Sequence, residues 1–307
     1  MVICVAAGLG LGARAQECNA CAPPQTLLAT AANSWTLRKQ VNEVEVLFTA
    51  SRHGRFITGL TENDVQVRDN NKPALIVDFR DQDNLPLRVA LLVDTSDSIR
   101  ERFKFEKDAA GLFLRQTLRA DSDQAMVAGF NTRLRTTQDF THDPGLLAGG
   151  IARLESRGGT SVFDAVEEAC RRLTQPAQGM VARVMIVVSD GDDNSSKSTL
   201  KAAVALAQRS EVTVYAVGTN YQSVGAAGDK NLKELAAATG GEALFPASAR
   251  AMAHAFARIS EELRHRYAVA YRPAELADNG RFHHIQIQAR KSGKKLSIKA
   301  RVGYYAR

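Results

Sequence analysis

The chain has 307 residues, of which 45% are apolar and 24% charged, and this balance excludes an intrinsically disordered or fibrous protein. Its length predicts about two domains, each large enough to bury a core. The net charge is +7 and the pI is near 9.3, but the 40 basic residues are interspersed with 33 acidic ones. This mixture predicts an ordinary solvated surface, so a nucleic-acid partner is not expected.

The N-terminal residues are typical of a secretory signal. An apolar run at residues 2–7 leads to Ala13-Arg14-Ala15, which has the small-x-small form of a cleavage site. We therefore expect residues 1–15 to be a signal peptide, residues 16–35 a flexible leader, and the protein to be exported to the periplasm or the medium. The positive charge that normally precedes the apolar run is missing, so a cytosolic protein with an apolar N-terminus stays an alternative. No later run has the length of a membrane span.

The cysteines do not form a recognisable motif. Cys18 and Cys21 have the spacing of a redox or metal site, but no second pair follows them and no strand-to-helix context surrounds them. We expect a local disulfide of an exported protein there, or no role. Cys170 lies in a helical pattern and is expected to be a small buried side chain.

Residues 36–84 predict short antiparallel strands. Approximate alternation of apolar and polar residues covers 41–50, and further extended segments cover 65–68 and 74–79, separated by turn residues at 69–73. These strands are expected to form one layer of a sandwich.

Residues 85–265 alternate between strands and helices. The continuous apolar runs at 89–93 and 184–188 have the length and β-branched content of strands buried on both faces. Other strands are predicted at 125–130, 212–217 and 243–245, and helices at 99–119, 145–154, 163–173, 199–208, 231–239 and 248–266. This order predicts an α/β domain with a doubly wound, mostly parallel sheet.

The C-terminal residues return to a strand pattern. Strands are predicted at 267–271, 282–290 and 296–304, and three strands alone would leave one face bare. We therefore expect residues 36–84 and 266–307 to form one small β-sandwich-like domain, into which the α/β domain is inserted.

Oxygen-bearing side chains follow both buried strands. Asp94, Ser96 and Ser98 come directly after the first, Asp190 follows the second, and Thr160 stands at a glycine turn before a helix. Open α/β sheets place their ligands at the carboxyl ends of the strands. Hydroxyl and carboxylate oxygens without histidine or thiolate are the ligands of a hard divalent cation, namely Mg²⁺, Mn²⁺ or Ca²⁺.

The pattern Asp94-x-Ser96-x-Ser98, the Gly-Gly-Thr160 turn and Val-Val-Ser-Asp190-Gly resemble the metal-ion-dependent adhesion site of the von Willebrand factor type A (VWA) domain. Segments 46–49, 56–61, 189–196 and 303–305 resemble a bacterial exported family related to it, so the resemblance covers nearly all of residues 41–307. It implies a Rossmann-like binding module. In such a site the two serines would ligate the metal directly, and the threonine and both aspartates directly or through water. A partner's Asp or Glu carboxylate would take the open position.

Two alternatives come from other classes of protein. In a structural protein, the metal would only stabilise the fold and the partner surface would lie on the β domain. A hydrolase would need an activated serine, and no histidine is placed with a candidate nucleophile. In an aspartyl phosphotransferase Asp94 could be the nucleophile, but Ser96 stands where a second acid would usually be. There is also no Gly-x-Ser-x-Gly elbow and no phosphate-binding loop, so we expect no enzymatic activity. Asp97, Asp192 and Asp193 have no fixed role in the motif, and Asp192 is expected to stabilise its turn or line the rim of the site.

Overall fold

The computed structural model describes residues 43–96, 103–156, 158–176, 180–220, 227–274 and 280–306. The predicted signal peptide and leader, including Cys18 and Cys21, lie outside these residues, as do Asp97 and Ser98. Within the described ranges, no helix is both long enough and apolar enough to cross a membrane.

The secondary structure consists of strands grouped at both ends of the chain and alternating strands and helices between them. The strands are β1 (Val44–Arg52), β2 (Arg55–Phe56), β3 (Val65–Asp69), β4 (Lys72–Pro73), β5 (Leu75–Asp81), β6 (Leu87–Asp94), β7 (Gln124–Phe130), β8 (Leu134–Thr141), β9 (Ala182–Ser189), β10 (Val212–Gly218), β11 (Ala243–Leu244), β12 (Tyr267–Arg272), β13 (Phe282–Lys291), β14 (Lys294–Lys295), β15 (Ser297–Ala300) and β16 (Gly303–Tyr305). The helices are α1 (Phe103–Thr117), α2 (Pro144–Ala152), α3 (Val162–Leu173), α4 (Leu200–Arg209), α5 (Ala227–Thr239) and α6 (Ala249–Arg264).

The middle of the chain forms a six-stranded sheet in the order β11-β10-β9-β6-β7-β8. Every pairing in it is parallel except that of β7 with β8. All residues of β6 are buried, and alternate ones pack on opposite faces: Val89 and Leu91 lie in the core with α1 and α6, and Ala90 and Leu92 in the core with α3. The predicted mixed α/β fold is therefore confirmed.

The terminal strands form two further sheets, ordered β15-β1-β12-β5 and β14-β13-β3-β4, with β2 on β1 and β16 on β13. Each sheet contains strands from both ends of the chain, because β1 pairs with β12 and β3 pairs with β13. The prediction of one layer for residues 36–84 is therefore wrong. The single strand predicted at 296–304 is also wrong, because β15 joins one sheet and β16 the other.

A buried polar cluster links these two sheets. Asp69 of β3 accepts hydrogen bonds from the Tyr271 hydroxyl of β12 at 2.9 Å and the Tyr304 hydroxyl of β16 at 3.0 Å, and its other oxygen lies 2.8 Å from His283 Nδ1. Tyr271 is completely buried. These two tyrosine side chains therefore pack in the core between the sheets.

Another buried aspartate fixes the start of β6. Asp123 accepts hydrogen bonds from the amides of Leu87 and Arg119, each at 2.8 Å, and pairs with Arg264 of α6. Burial opposes its charge, yet the hydrogen bonds from the Arg119 amide and the Arg264 guanidinium outweigh burial and hold the pKa of Asp123 below its ordinary value. This carboxylate therefore stabilises the folded chain in its charged form.

Candidate metal centre

Asp94 is the last residue of β6 and is completely buried. Its Oδ1 accepts a hydrogen bond from the Ser96 amide at 2.9 Å, and its Oδ2 accepts one from the Ser189 hydroxyl at 2.6 Å. Burial raises the pKa of Asp94 to about 6, although the hydrogen bonds from Ser189 and Ser96 lower it, and the neighbouring Asp190 carboxylate adds to the increase. A cation bound beside Asp94 would stabilise its charged form and reverse this change.

Of the two serines of the motif, Ser96 lies within the described residues and Ser98 does not. Ser96 is 2% exposed, and its carbonyl accepts a hydrogen bond from the Ser156 hydroxyl at 2.9 Å. The loop that carries Ser96 is thereby tied to the segment after α2. Ser98 lies outside the described residues, so its role as a ligand stays a prediction.

Thr160 is held against the loop that follows β9. Its amide donates to Asn194 Oδ1 at 3.0 Å, and its carbonyl accepts from the amides of Asn194 and Ser195 at 3.1 and 3.0 Å. The residue before it is packed closely, since a Cβ on Gly159 would lie 2.7 Å from Ser195 Oγ and 3.0 Å from Asn194 Oδ1, the acceptor of the Thr160 amide. A side chain at position 159 would therefore push Ser195 or Asn194 away, so packing favours glycine before Thr160.

Two aspartates connect the same loop to the start of α3. Asp193 accepts from the Phe163 amide at 3.0 Å, and Asp164 accepts from the amides of Lys197 and Ser198 at 3.0 and 2.9 Å. Asp193, for which the motif assigned no role, thus satisfies a backbone donor in the first turn of α3. Together with Asn194, it fixes the position of Thr160 relative to β9.

Asp190 follows β9 directly and is partly exposed. Its Oδ1 accepts from the Asp192 amide at 3.1 Å, and Asp192 in turn accepts from the Gly228 amide at 3.1 Å. Gly191 has φ +76°, and a Cβ there would lie 2.3 Å from the Gly228 carbonyl oxygen. Asp192 was expected to stabilise its turn or to line the rim of the site. These two hydrogen bonds agree with the first role.

Ser189 is a positioning residue that the motif did not predict. Its hydroxyl donates to Asp94 and accepts from the Gly191 amide at 3.0 Å, so one buried side chain joins the two loops that carry Asp94 and Asp190. The contact between Ser189 and Asp94 follows from the sheet register. Val93 pairs with Val188, so Asp94 and Ser189, the next residue on each strand, lie side by side. That register cannot be obtained from composition or periodicity.

The donor set fits a hard divalent cation. Asp94, Ser96 and Asp190 are brought together through Ser189, and Thr160 is held to the same loop through Asn194. Within the described ranges, no group of three or more His, Cys, Asp or Glu could hold a metal, so any site here depends on hydroxyl oxygens as well. Next to Thr160, the buried Ser161 hydroxyl has no hydrogen-bond partner among the described residues. Such oxygen-only sites suit Mg²⁺ better than Zn²⁺.

Residues 89–258 match the family model of the von Willebrand factor type A domain, which is more than half of the chain. The chain belongs to this family. The VWA segment begins within β6 and ends within α6, so it includes Asp94, Thr160 and Asp190.

Solved structures with a similar fold include other VWA proteins. A von Willebrand factor type A protein from Catenulispora acidiphila has a TM-score of 0.52 at 14% identity, over 81% of this chain and 76% of that one. Proximal thread matrix protein 1 from the mussel byssus has a TM-score of 0.52 at 16% identity, over 64% and 50%. The PilB minor pilin of Streptococcus sanguinis reaches 0.48 at 14% identity over 59% of this chain, which spans only 62% of the pilin. The first two likenesses support the VWA fold and carry no function to this chain. No curated protein matches it.

Proposed function

We propose that this chain is an exported, non-enzymatic adhesion or scaffolding module that binds an acidic group of a protein partner through a divalent cation, which is Mg²⁺ or alternatively Mn²⁺ or Ca²⁺. The cation would be held by Asp94, Ser96, Ser98, Thr160 and Asp190. The observation that carries this proposal is the burial of Asp94 at the end of β6, beside a second carboxylate and hydroxyl oxygens.

At such a site the residues would have three different roles. Asp94 and Asp190 offset the charge of the cation, and the hydroxyls of Ser96 and Thr160 offer neutral oxygens. Ser189 holds Asp94 in place through its 2.6 Å hydrogen bond, so the ligand does not have to be ordered when the cation binds. A cation with few directly bound carboxylates keeps enough positive charge to attract the partner's carboxylate.

We also propose a division of the chain into domains. The VWA domain would cover residues 85–265, and the two outer β sheets would form one β domain from residues 36–84 and 266–307. The antiparallel pairs β1–β12 and β3–β13 support this division, because each joins the two ends of the chain. Export rests on the sequence of residues 2–15 alone.

The experiment compares thermal melting and peptide binding, with and without Mg²⁺, in wild type, Asp94→Ala and Asp190→Ala. The probe is a capped Gly/Ser peptide that contains one Asp. Mg²⁺ should raise the Tm of wild type but not of Asp94→Ala or Asp190→Ala, and EDTA should abolish peptide binding to wild type. Asp143→Ala is the matched control: Asp143 caps α2 through the Gly145 amide at 2.7 Å, so its loss costs about 1 kcal/mol but leaves the Mg²⁺ response unchanged. If Mg²⁺ raises Tm while peptide binding survives EDTA, the metal is structural and the adhesion mechanism is wrong.

A further inference from the structure

A basic cavity lies beside the candidate metal centre, where β7 turns into β8. It encloses about 330 Å³, and its wall contains Arg133, Arg135, Arg153 and Glu155. All four residues are exposed, so three arginines and one glutamate are the charged residues among the described ones that line this recess. The Arg153 guanidinium is held by the Thr137 carbonyl at 2.5 Å. Arg133 and Arg135 form no ion pair with any carboxylate in the part of the chain that the structure describes.

The cavity is continuous with the loops that carry the predicted ligands. Thr95, the residue between the first two ligands, lines it, and so does Asn131. The Asn131 carbonyl accepts from the amide of Ser161, the residue after Thr160, at 2.7 Å. Thr95 and Asn131 therefore line the cavity and also adjoin the segments that carry the predicted ligands, which places the cavity next to those segments.

The sheet register explains which side chains line the cavity beside Arg135. In the antiparallel pair of β7 and β8, Arg135 lies opposite Gly129, and directly opposed residues direct their side chains to the same face. A Cβ on Gly129 would lie 2.8 Å from Thr95 Cγ2 and 2.9 Å from Leu154 Cδ2. Thr95 and Leu154 therefore occupy the position opposite Arg135, and Gly129 adds no side chain to the cavity.

We infer that the acidic partner of the metal centre carries a second carboxylate close to the first, and that this second group binds at Arg133 and Arg135. The inference rests on the proposed function and specifies its partner as a diacidic peptide segment. Guanidinium groups bind carboxylates through paired N–H donors, which suits an Asp or Glu side chain. Glu155 in the wall and the recessed shape disfavour a phosphate backbone, since a duplex presents its charges on a convex surface.

The test uses the whole protein and a series of capped, fluorescent Gly/Ser peptides. One peptide contains a single Asp, and the others contain two Asp separated by one to four residues. Affinities are measured by fluorescence polarisation in Mg²⁺ and in EDTA for wild type and for the double variant Arg133→Ala/Arg135→Ala. The control variant Arg55→Ala/Arg290→Ala removes the same charge from two exposed positions on the β sheets.

In Mg²⁺, the best-spaced diacidic peptide should bind wild type about fivefold to tenfold more tightly than the monoacidic peptide. This preference should disappear in the Arg133/Arg135 variant and remain in the control, while the monoacidic peptide binds all three proteins alike. The Mg²⁺-induced rise in Tm should be the same in all three, which shows that the variant is folded and loads metal.

Other outcomes separate the inference from the proposed function. Mg²⁺-dependent binding with no diacidic preference, or with a preference that survives in the Arg133/Arg135 variant, overturns the inference alone. Absence of any Mg²⁺-dependent binding overturns the proposed function and the inference with it. A short DNA duplex that displaces the diacidic peptide more effectively than unlabelled peptide does would assign the cavity to nucleic acid, and the inference would be wrong.

Discussion

Replacing Asp94 by Asn should stabilise the metal-free protein at neutral pH. Burial raises the pKa of Asp94 from 3.8 to about 6, so folding favours its neutral form. The favourable contribution of this group is complete below pH 3.8 and is lost as the pH rises through about 6. A pKa change of that size corresponds to about 3 kcal/mol at pH 8.

The Asn side chain keeps the shape of Asp94, and its oxygen can accept from the Ser96 amide while its NH₂ group faces Ser189. Loss of the charged acceptor should cost about 1 kcal/mol. The variant should therefore be more stable than wild type by about 2 kcal/mol at pH 8 in EDTA, and no more stable at pH 4. Excess Mg²⁺ should reverse the order, since about 100 times Kd adds about 2.7 kcal/mol to a protein that binds it.

Urea denaturation followed by circular dichroism at pH 4, 6 and 8, in EDTA and in Mg²⁺, measures these free energies of unfolding. Asp123→Asn is the matched control, because Asp123 is also completely buried but has a lowered pKa. The charged Asp123 carboxylate stabilises the fold at pH values above the pKa that it has in the unfolded chain, and this contribution is lost as the pH falls. The Asp123→Asn variant should therefore be destabilised most at pH 8. If Asp94→Asn in EDTA follows the same trend as Asp123→Asn, a counter-charge already stabilises Asp94, and the reasoning is refuted.

Two further substitutions test the residues that position the ligands. Ser189→Ala removes a hydrogen bond that lowers the pKa of Asp94. Calorimetric titration should therefore show the Mg²⁺ affinity reduced about tenfold and the pH midpoint of Mg²⁺ binding moved upward. Unchanged affinity would show that Asp94 needs no support from Ser189. Gly159→Ala places a Cβ 2.7 Å from Ser195 Oγ and 3.0 Å from Asn194 Oδ1, the acceptor of the Thr160 amide, so it should displace Thr160, weaken Mg²⁺ binding and cost about 1 kcal/mol in urea denaturation. Gly149→Ala, which meets only the end of the Arg153 side chain at 3.3 Å, is its control and should do none of these.

Sequence patterns were sufficient for elements whose environment is uniform along their length. β6 and β9 are apolar because both of their faces are covered, and the long helices have one apolar face each. β8 was not predicted, since its polar residues lie half-exposed at the edge of the sheet. The separation of β15 from β16 depends on a distant segment: the Val302 amide donates to the Ala238 carbonyl at 3.3 Å, and the backbone at Arg301 lies against Gly240.

For the site, the sequence by itself determined which side chains are available, and the types and order of Asp94, Ser96, Thr160 and Asp190 predict an oxygen-only cation centre. Only the tertiary structure decided how these residues meet. The hydrogen bond of Ser189 to Asp94 joins residues 95 positions apart, and the Arg135 cavity depends on the register that places Gly129 opposite it. Contacts between distant segments leave no periodic trace in a single sequence, since each partner alone is an ordinary serine, glycine or arginine.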